Sequence, residues 1–289
     1  MASGLTFEAL TWNPPNPERA PLALCLHGYP DTASTWRNLG PHLAERGWRV
    51  VAPYMRGYAP TDLAPDRCYQ VGALARDAIE AHEALGGDRH AVLIGHDWGA
   101  VATYAVAAHS PELFARVVTL AIPPAGAALR GIVAPPNLPL IARQLWCSRY
   151  MAFQQLPVIS ERSLDRLIPR LWADWSPGYD STWDVARVRE ALAEGPNLHA
   201  AVGYYRAMLD PALHQPAYAA VQAAAGTPPQ PTLNLHGDKD GALFLDPASD
   251  VVSALSEGSR HVRVADAGHF LHLERPDEVN DLILDFLSG

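Results

Sequence analysis

Asp97 stands at the centre of Gly95-His96-Asp97-Trp98-Gly99, between an apolar run ending at Ile94 and a helical pattern starting at Ala100. A small–x–nucleophile–x–small pentapeptide between strand and helix is a nucleophile-elbow signature. Glycine is needed at both ends because the turn is tight, and a Cβ there would clash with the neighbouring helix or strand. The turn lifts its central side chain to the N-terminus of the next helix, where the dipole and free N–H groups favour negative charge. A serine at this place would need a base to deprotonate it, whereas a carboxylate is already ionised at neutral pH. Asp97 is therefore expected to attack an sp3 carbon bearing a leaving group and form an alkyl ester that water then hydrolyses. This chemistry disfavours protease, lipase and esterase readings. The plainer alternative is a turn that caps a helix, because aspartate is also a good N-cap.

Ester hydrolysis needs a base, and a histidine base needs an acid to orient it. His269 lies in Ala265-Asp266-Ala267-Gly268-His269-Phe270, after the strand pattern at 261–264 and before the last helical pattern. His272 is the weaker candidate. His236-Gly237-Asp238-Lys239-Asp240 offers two acids, Asp238 and Asp240, in one turn after the run 231–235. His27-Gly28-Tyr29-Pro30 also follows an apolar run and reads either as an ordinary Gly-Pro turn or as a donor of backbone N–H groups.

These residues need a scaffold that gathers strand ends. Buried-strand runs are read at 22–26, 48–52, 90–94 and 117–121, with helical spacing at 35–46, 74–85 and 100–109 between and after them. Alternating strands and helices predict parallel βαβ units in a three-layer sandwich. Near Pro123 the texture changes. Residues 123–139 are rich in Pro and Gly, and 140–225 carry helical patterns without a convincing strand. Strand runs then return at 231–235 and 261–264, with a closing helix at 277–287. One α/β core interrupted by a helical insertion is the simplest account.

Composition removes other classes. A net charge of −9 without a Lys/Arg cluster disfavours a nucleic-acid partner. There is no run of about 18 apolar residues, and residues 1–13 lack the features of a signal peptide. Cys25, Cys68 and Cys147 are odd in number and without CxxC spacing, so they read as reduced thiols of a cytoplasmic protein. No motif calls for a metal, nucleotide or other cofactor.

With Gly-His-Asp-Trp-Gly at 95–99, His-Gly-Tyr-Pro at 27–30 and Gly-His-Phe at 268–270, nearly the whole chain resembles the α/β-hydrolase-fold epoxide hydrolases. The resemblance implies a mostly parallel sheet flanked by helices, with the core at 1–124 and 226–289 and a helical cap at 125–225. It implies the chain order nucleophile, acid, histidine, with Asp240 preferred over Asp238 by its Gly-x-x-Asp spacing, and an oxyanion hole from the N–H groups of Tyr29 and Trp98. Haloalkane and fluoroacetate dehalogenases share the Asp–His–acid core, so the cap must separate them.

Epoxide hydrolases carry two cap tyrosines that donate to the epoxide oxygen, the first in a stretch reading Tyr-x-x-x-x-Gln-x-Pro. Tyr150-Met151-Ala152-Phe153-Gln154-Gln155-Leu156-Pro157 fits it, and Gly203-Tyr204-Tyr205-Arg206 fits the second with Tyr205 as donor. An opening epoxide needs a proton donor, whereas a departing halide needs only weak N–H donors. Substrate contacts are expected from His27, Pro30, Trp98, Phe153 and Phe270. The segment 54–62 departs from the family pattern with Tyr54, Ala59 and Thr61, where altered packing is expected, and Tyr204 replaces a tryptophan beside the pocket. The expectation is an epoxide hydrolase, monomeric or homodimeric, that binds a small epoxide and needs no membrane. A dehalogenase and a non-catalytic small-ligand-binding protein are the alternatives.

Overall fold

The computed structural model describes residues 4–127, 138–224, 226–246 and 249–289. Its centre is a seven-stranded sheet: β1 (Ala9–Trp12), β2 (Leu22–Leu26), β3 (Arg49–Pro53), β4 (Val92–His96), β5 (Arg116–Leu120), β6 (Thr232–Gly237) and β7 (Arg260–Val264). The spatial order is β1-β3-β2-β4-β5-β6-β7. Only β1 runs antiparallel, pairing Ala9 with Pro53 and Trp12 with Val50. The parallel strands β2, β4 and β6 are buried along their whole length, as expected where helices cover both faces.

Alternation within a strand decides which layer each residue fills. Leu22, Leu24 and Leu26 face one cluster together with Leu74, Ala102 and Val106, whereas Ala23 and Cys25 face the other with Leu43, Ile283 and Phe286. The first layer thus holds α2 (Val71–Ala84) and α3 (Trp98–His109), and the second holds α1 (Leu39–Glu45) and the closing helix α11 (Pro276–Ser288). Cys25, Cys68 and Cys147 are free thiols, the first two buried.

Between β5 and β6 the described residues are helical and contain no strand: α4 (Leu138–Cys147), α5 (Arg149–Gln154), α6 (Ile159–Trp175), α7 (Thr182–Ala191), α8 (Gly195–Leu209) and α9 (Ala219–Ala223). A short α10 (Leu271–Glu274) precedes α11. The Pro- and Gly-rich stretch read at 123–139 lies mostly outside the described residues. Among the described residues no helix is long and apolar enough to cross a membrane.

The residues that depart from the family pattern in segment 54–62 pack by their own bonds. The Thr61 hydroxyl donates to the Tyr54 carbonyl at 2.7 Å and accepts from the Glu8 amide at 3.0 Å. Deeper in the same layer Arg56 is buried and forks onto both oxygens of Asp77 at 2.6 Å.

Helix α6 is fastened to the core through Trp172. Its indole N–H donates to the Pro30 carbonyl at 2.9 Å, and its ring lies flat on Phe270, 3.4 Å between centroids. Trp172→Ala is expected to cost about 3–5 kcal/mol through loss of this buried ring, read as a lower midpoint in urea unfolding. A cost near zero would show that α6 is anchored elsewhere.

Candidate active site

The elbow forms because its neighbours leave no room for larger residues. A Cβ on Gly95 would sit 2.4 Å from the Gly99 carbonyl oxygen, and one on Gly99 would sit 2.2 Å from that of Leu26. Between them Asp97 takes φ 50° and ψ −117°, a strained backbone that ends β4 and starts α3. Gly28 is the third close approach, since a Cβ there would come 2.4 Å from Asp97 Cβ. The loop 27–30 therefore lies directly against the carboxylate.

Asp97 is 8 % exposed. Its Oδ1 accepts from the Tyr29 amide at 2.8 Å, and its Oδ2 faces His269 Nε2 at 3.6 Å. On the other side of the imidazole, His269 Nδ1 lies 3.0 Å from Asp240 Oδ2. The amides of Ala242 and Leu243 donate to Asp240 Oδ1 at 2.7 and 3.0 Å. With Nδ1–H donated to Asp240, Nε2 is the nitrogen left facing Asp97. Burial opposes the charged form of His269, but the two carboxylates override it and raise its pKa. The same imidazole lowers that of Asp240 against the effect of burial. Asp238 is exposed, so the turn 236–240 brings only Asp240 to His269.

Tyr150 on α5 and Tyr205 on α8 meet with their hydroxyls 3.5 Å apart. The Tyr205 ring stands edge-on to Trp98 and to Tyr29. Burial raises both phenols well above their ordinary range, and the charge of Asp97 raises them further. Both remain protonated donors at neutral pH. The motif residues around them do the positioning. Gln155 donates to the Tyr205 carbonyl at 3.2 Å, and Arg206 binds the Gln154 carbonyl at 3.1 Å and Glu161 at 2.7 Å. Tyr204 packs edge-on against Trp98 and donates to the Arg56 carbonyl at 2.8 Å.

The remaining expected residues divide. Trp98 and Phe270 pack around Tyr205 and His269, and Phe153 lines an outer cleft with Tyr150. Pro30 presents its carbonyl to Trp172. The His27 ring is fully buried with both nitrogens engaged: one lies 2.9 Å from the Gly28 carbonyl, and the other accepts from the Met55 amide at 2.9 Å. Burial lowers its pKa to about 4, so it braces the loop as a neutral ring and has no nitrogen free for a ligand.

Sequence reasoning missed Trp175, Gln154, Ser176 and Glu274. The Trp175 carbonyl accepts from the amides of His269 (2.9 Å) and Gly241 (3.2 Å), tying the loops that carry His269 and Asp240 to the end of α6. Its ring stands edge-on to His269 and Tyr150. Gln154 donates to the Tyr29 hydroxyl at 2.7 Å. Ser176 and Glu274 hold the amides on either side of His269, those of Phe270 and Gly268. Only Gln154, inside the tyrosine motif, carried a readable signal.

Behind the imidazole lies a polar cluster of Asp31, His96 and His272, all buried. His96 Nε2 lies 3.0 Å from the His269 carbonyl, an acceptor, so Nε2 bears the proton. Asp31 Oδ2 and the Nδ1 atoms of His96 and His272 find no hydrogen-bond partner among the described residues. Asp31 Oδ2 lies 3.9 Å from His96 Nδ1, longer than the edge of about 3.3 Å that zinc bonds of 2.0–2.1 Å would require, so the group as it stands is not a closed coordination sphere. Burial raises Asp31 to about 8. Its folded-state pKa thus exceeds the unfolded value, and its contribution to stability is full below about pH 4 and lost as pH rises through 8. Asp31→Asn is expected to be more stable than wild type at pH 9, with the difference vanishing by pH 4 in paired urea titrations. A pH-independent difference would mean that Asp31 stays ionised in the folded state.

Residues 21–136 match the family model described as the alpha/beta hydrolase fold. The AB hydrolase superfamily protein YfhM of Bacillus subtilis is 31 % identical over 94 % of this chain and 92 % of its own length. Epoxide hydrolase A of Mycobacterium tuberculosis is 27 % identical over 93 % of this chain and 91 % of its own. The crystal structure of epoxide hydrolase A from Mycobacterium thermoresistibile superposes with a TM-score of 0.72 at 24 % identity, covering 99 % of this chain and 96 % of that one. The elbow, the strand order and a relative matched almost end to end agree: the chain belongs to the α/β-hydrolase superfamily, with epoxide hydrolases among its relatives.

Proposed function

We propose that the protein is an epoxide hydrolase that makes a vicinal diol through an ester on Asp97. The observation that carries this reading is the meeting of two protonated phenols, Tyr150 and Tyr205, close enough to Asp97 for its charge to raise both. A carboxylate facing paired acidic O–H donors suits a leaving group that departs as an alkoxide. Residues 125–225 would act as the cap that supplies both donors. The epoxide hydrolases among the relatives support the same reading.

In this mechanism the tyrosines hold the epoxide oxygen and Asp97 Oδ2 attacks a ring carbon. The C–O bond breaks and one tyrosine protonates the leaving oxygen, giving a hydroxyalkyl ester. Oδ1, bound to the Tyr29 amide, becomes the ester carbonyl oxygen. Esterification neutralises one of the two carboxylates that raise His269. The imidazolium then releases its proton toward the tyrosinate, and neutral His269 deprotonates a water. Attack on the ester places the oxyanion on the N–H groups of Tyr29 and Trp98, worth about 3 kcal/mol per donor in comparable sites. Collapse releases the diol and restores Asp97 and protonated His269.

The discriminating assay runs styrene oxide and a short bromoalkane side by side. Diol without bromide is expected, and bromide without diol would leave Asp97 as nucleophile in a dehalogenase. His269→Ala should accumulate the ester, visible as an adduct by intact mass spectrometry and absent in Asp97→Asn. Absence of any adduct would remove the covalent mechanism. Tyr150→Phe combined with Tyr205→Phe should slow adduct formation by roughly 10²-fold or more, the scale of lost general-acid help. An unchanged rate would make the two rings packing residues only.

A further inference from the structure

Tyr29 serves the site through its amide, and its side chain is a third buried phenol beside Tyr150 and Tyr205. The ring is fully buried and stands edge-on to Tyr205, 5.1 Å between centroids. Burial raises its pKa, Tyr150 and Asp97 raise it further, and Tyr29 in turn raises that of Tyr205. Three phenols and one carboxylate thus share a neighbourhood. The Tyr29 hydroxyl accepts from Gln154 Nε2 at 2.7 Å. A hydroxyl that accepts one hydrogen bond still has its own proton to donate, and that proton finds no acceptor among the described residues. Gln154 is fully buried too, four residues after Tyr150 and on the same face of α5. Its Oε1 has no partner among the described residues, so the side chain is held through Tyr29 alone. Buried polar groups are nearly always paired, and an unused buried donor calls for an explanation.

We propose, building on the epoxide hydrolase reading, that the Tyr29 hydroxyl is a third donor to the leaving oxygen, positioned by Gln154. The proton transferred on ring opening still comes from Tyr150 or Tyr205. Tyr29 keeps its own proton and shares it as a hydrogen bond. As the C–O bond breaks, negative charge grows on the leaving oxygen, and a donor aimed there strengthens with it. The Gln154 N–H occupies the Tyr29 oxygen from the side of α5, which leaves the phenolic proton for the substrate. An oxygen that accepts a hydrogen bond is polarised and donates more strongly in turn. Tyr29 then serves both halves of the reaction: its hydroxyl holds the leaving oxygen, and its amide holds the oxyanion of the ester.

In the His269→Ala background, adduct formation from styrene oxide reports ring opening alone. Tyr29→Phe keeps the backbone amide and the ring, and should slow adduct formation roughly tenfold, the scale of one hydrogen bond to a group gaining charge. Gln154→Met is close to glutamine in size but has no donor. It should slow adduct formation severalfold when Tyr29 is present and add nothing in Tyr29→Phe, because it acts through that hydroxyl. An unchanged rate in Tyr29→Phe overturns the third donor. Equal losses from Gln154→Met in both backgrounds would come from disturbed packing and overturn its positioning role. A pair of ligands without an epoxide tests the contact apart from the chemistry. 2-Phenylethanol and ethylbenzene differ by one hydroxyl, which stands in for the leaving oxygen. In calorimetric titrations Tyr29→Phe should weaken binding of the alcohol by roughly fivefold, within the range of a single hydrogen bond, and leave ethylbenzene unaffected. Equal losses for the two ligands, or none for the alcohol, overturn the proposal. If the wild type opens no epoxide at all, the functional reading falls, while the titrations still decide whether Tyr29 donates to a ligand oxygen.

Discussion

A carboxylate taken out of water must recover in donors and counter-charge what it loses in hydration, a cost of several kcal/mol per ion. Asp97 is in that position, and much of the molecule is arranged around it. The Tyr29 amide can reach Oδ1 only because Gly28 has no side chain to separate the loop from the elbow. The imidazole of His269 supplies positive charge on the other oxygen, and does so only while Asp240 holds its far nitrogen. Asp240 in turn depends on two backbone amides of the following turn. Each layer satisfies a buried polar group of the layer inside it, so a change at any one reaches the carboxylate.

The same charge acts on the helices between β5 and β6. Phenols buried beside a carboxylate resist ionisation, which keeps Tyr150 and Tyr205 as donors. They lie 55 residues apart in the chain, on two helices, and Gln155 and Arg206 join those helices next to the two rings. Arg206 does so with a full complement of acceptors, the Gln154 carbonyl and the Glu161 carboxylate among them. The motif residues beside each tyrosine are thus the ones that bring it to its partner.

The helices between β5 and β6 are also fastened to the rest of the molecule beside His269. One carbonyl, that of Trp175, receives the amides of both His269 and Gly241, while Trp172 clamps α6 onto Pro30 and Phe270. A Cβ on Gly241 would come 2.0 Å from the Asp174 carbonyl oxygen, which explains why the acid turn carries glycine there. The end of α6 therefore fixes the imidazole from above, and His96 fixes its carbonyl from below.

The sequence by itself determined the elements and the chemistry of single residues. Strand patterns located β2 at its observed bounds and β3 to β7 to within two residues; β2 and β4 stood out most plainly because strands buried on both faces leave a continuous apolar mark. The short edge strand β1, Ala9–Trp12, left no such mark and was missed. The elbow pentapeptide marked the strained turn at Asp97 because such a turn demands glycine at fixed offsets. Tertiary structure decided what depends on distance between remote segments. It left Asp238 in solvent and turned Asp240 onto His269. It engaged both nitrogens of His27 inside its own loop. It also made a main-chain carbonyl of Trp175 the link between the loops of Asp240 and His269. Every residue has such a carbonyl, so no pattern of side chains could have singled this one out; only the packing of α6 against two loops gives it that role.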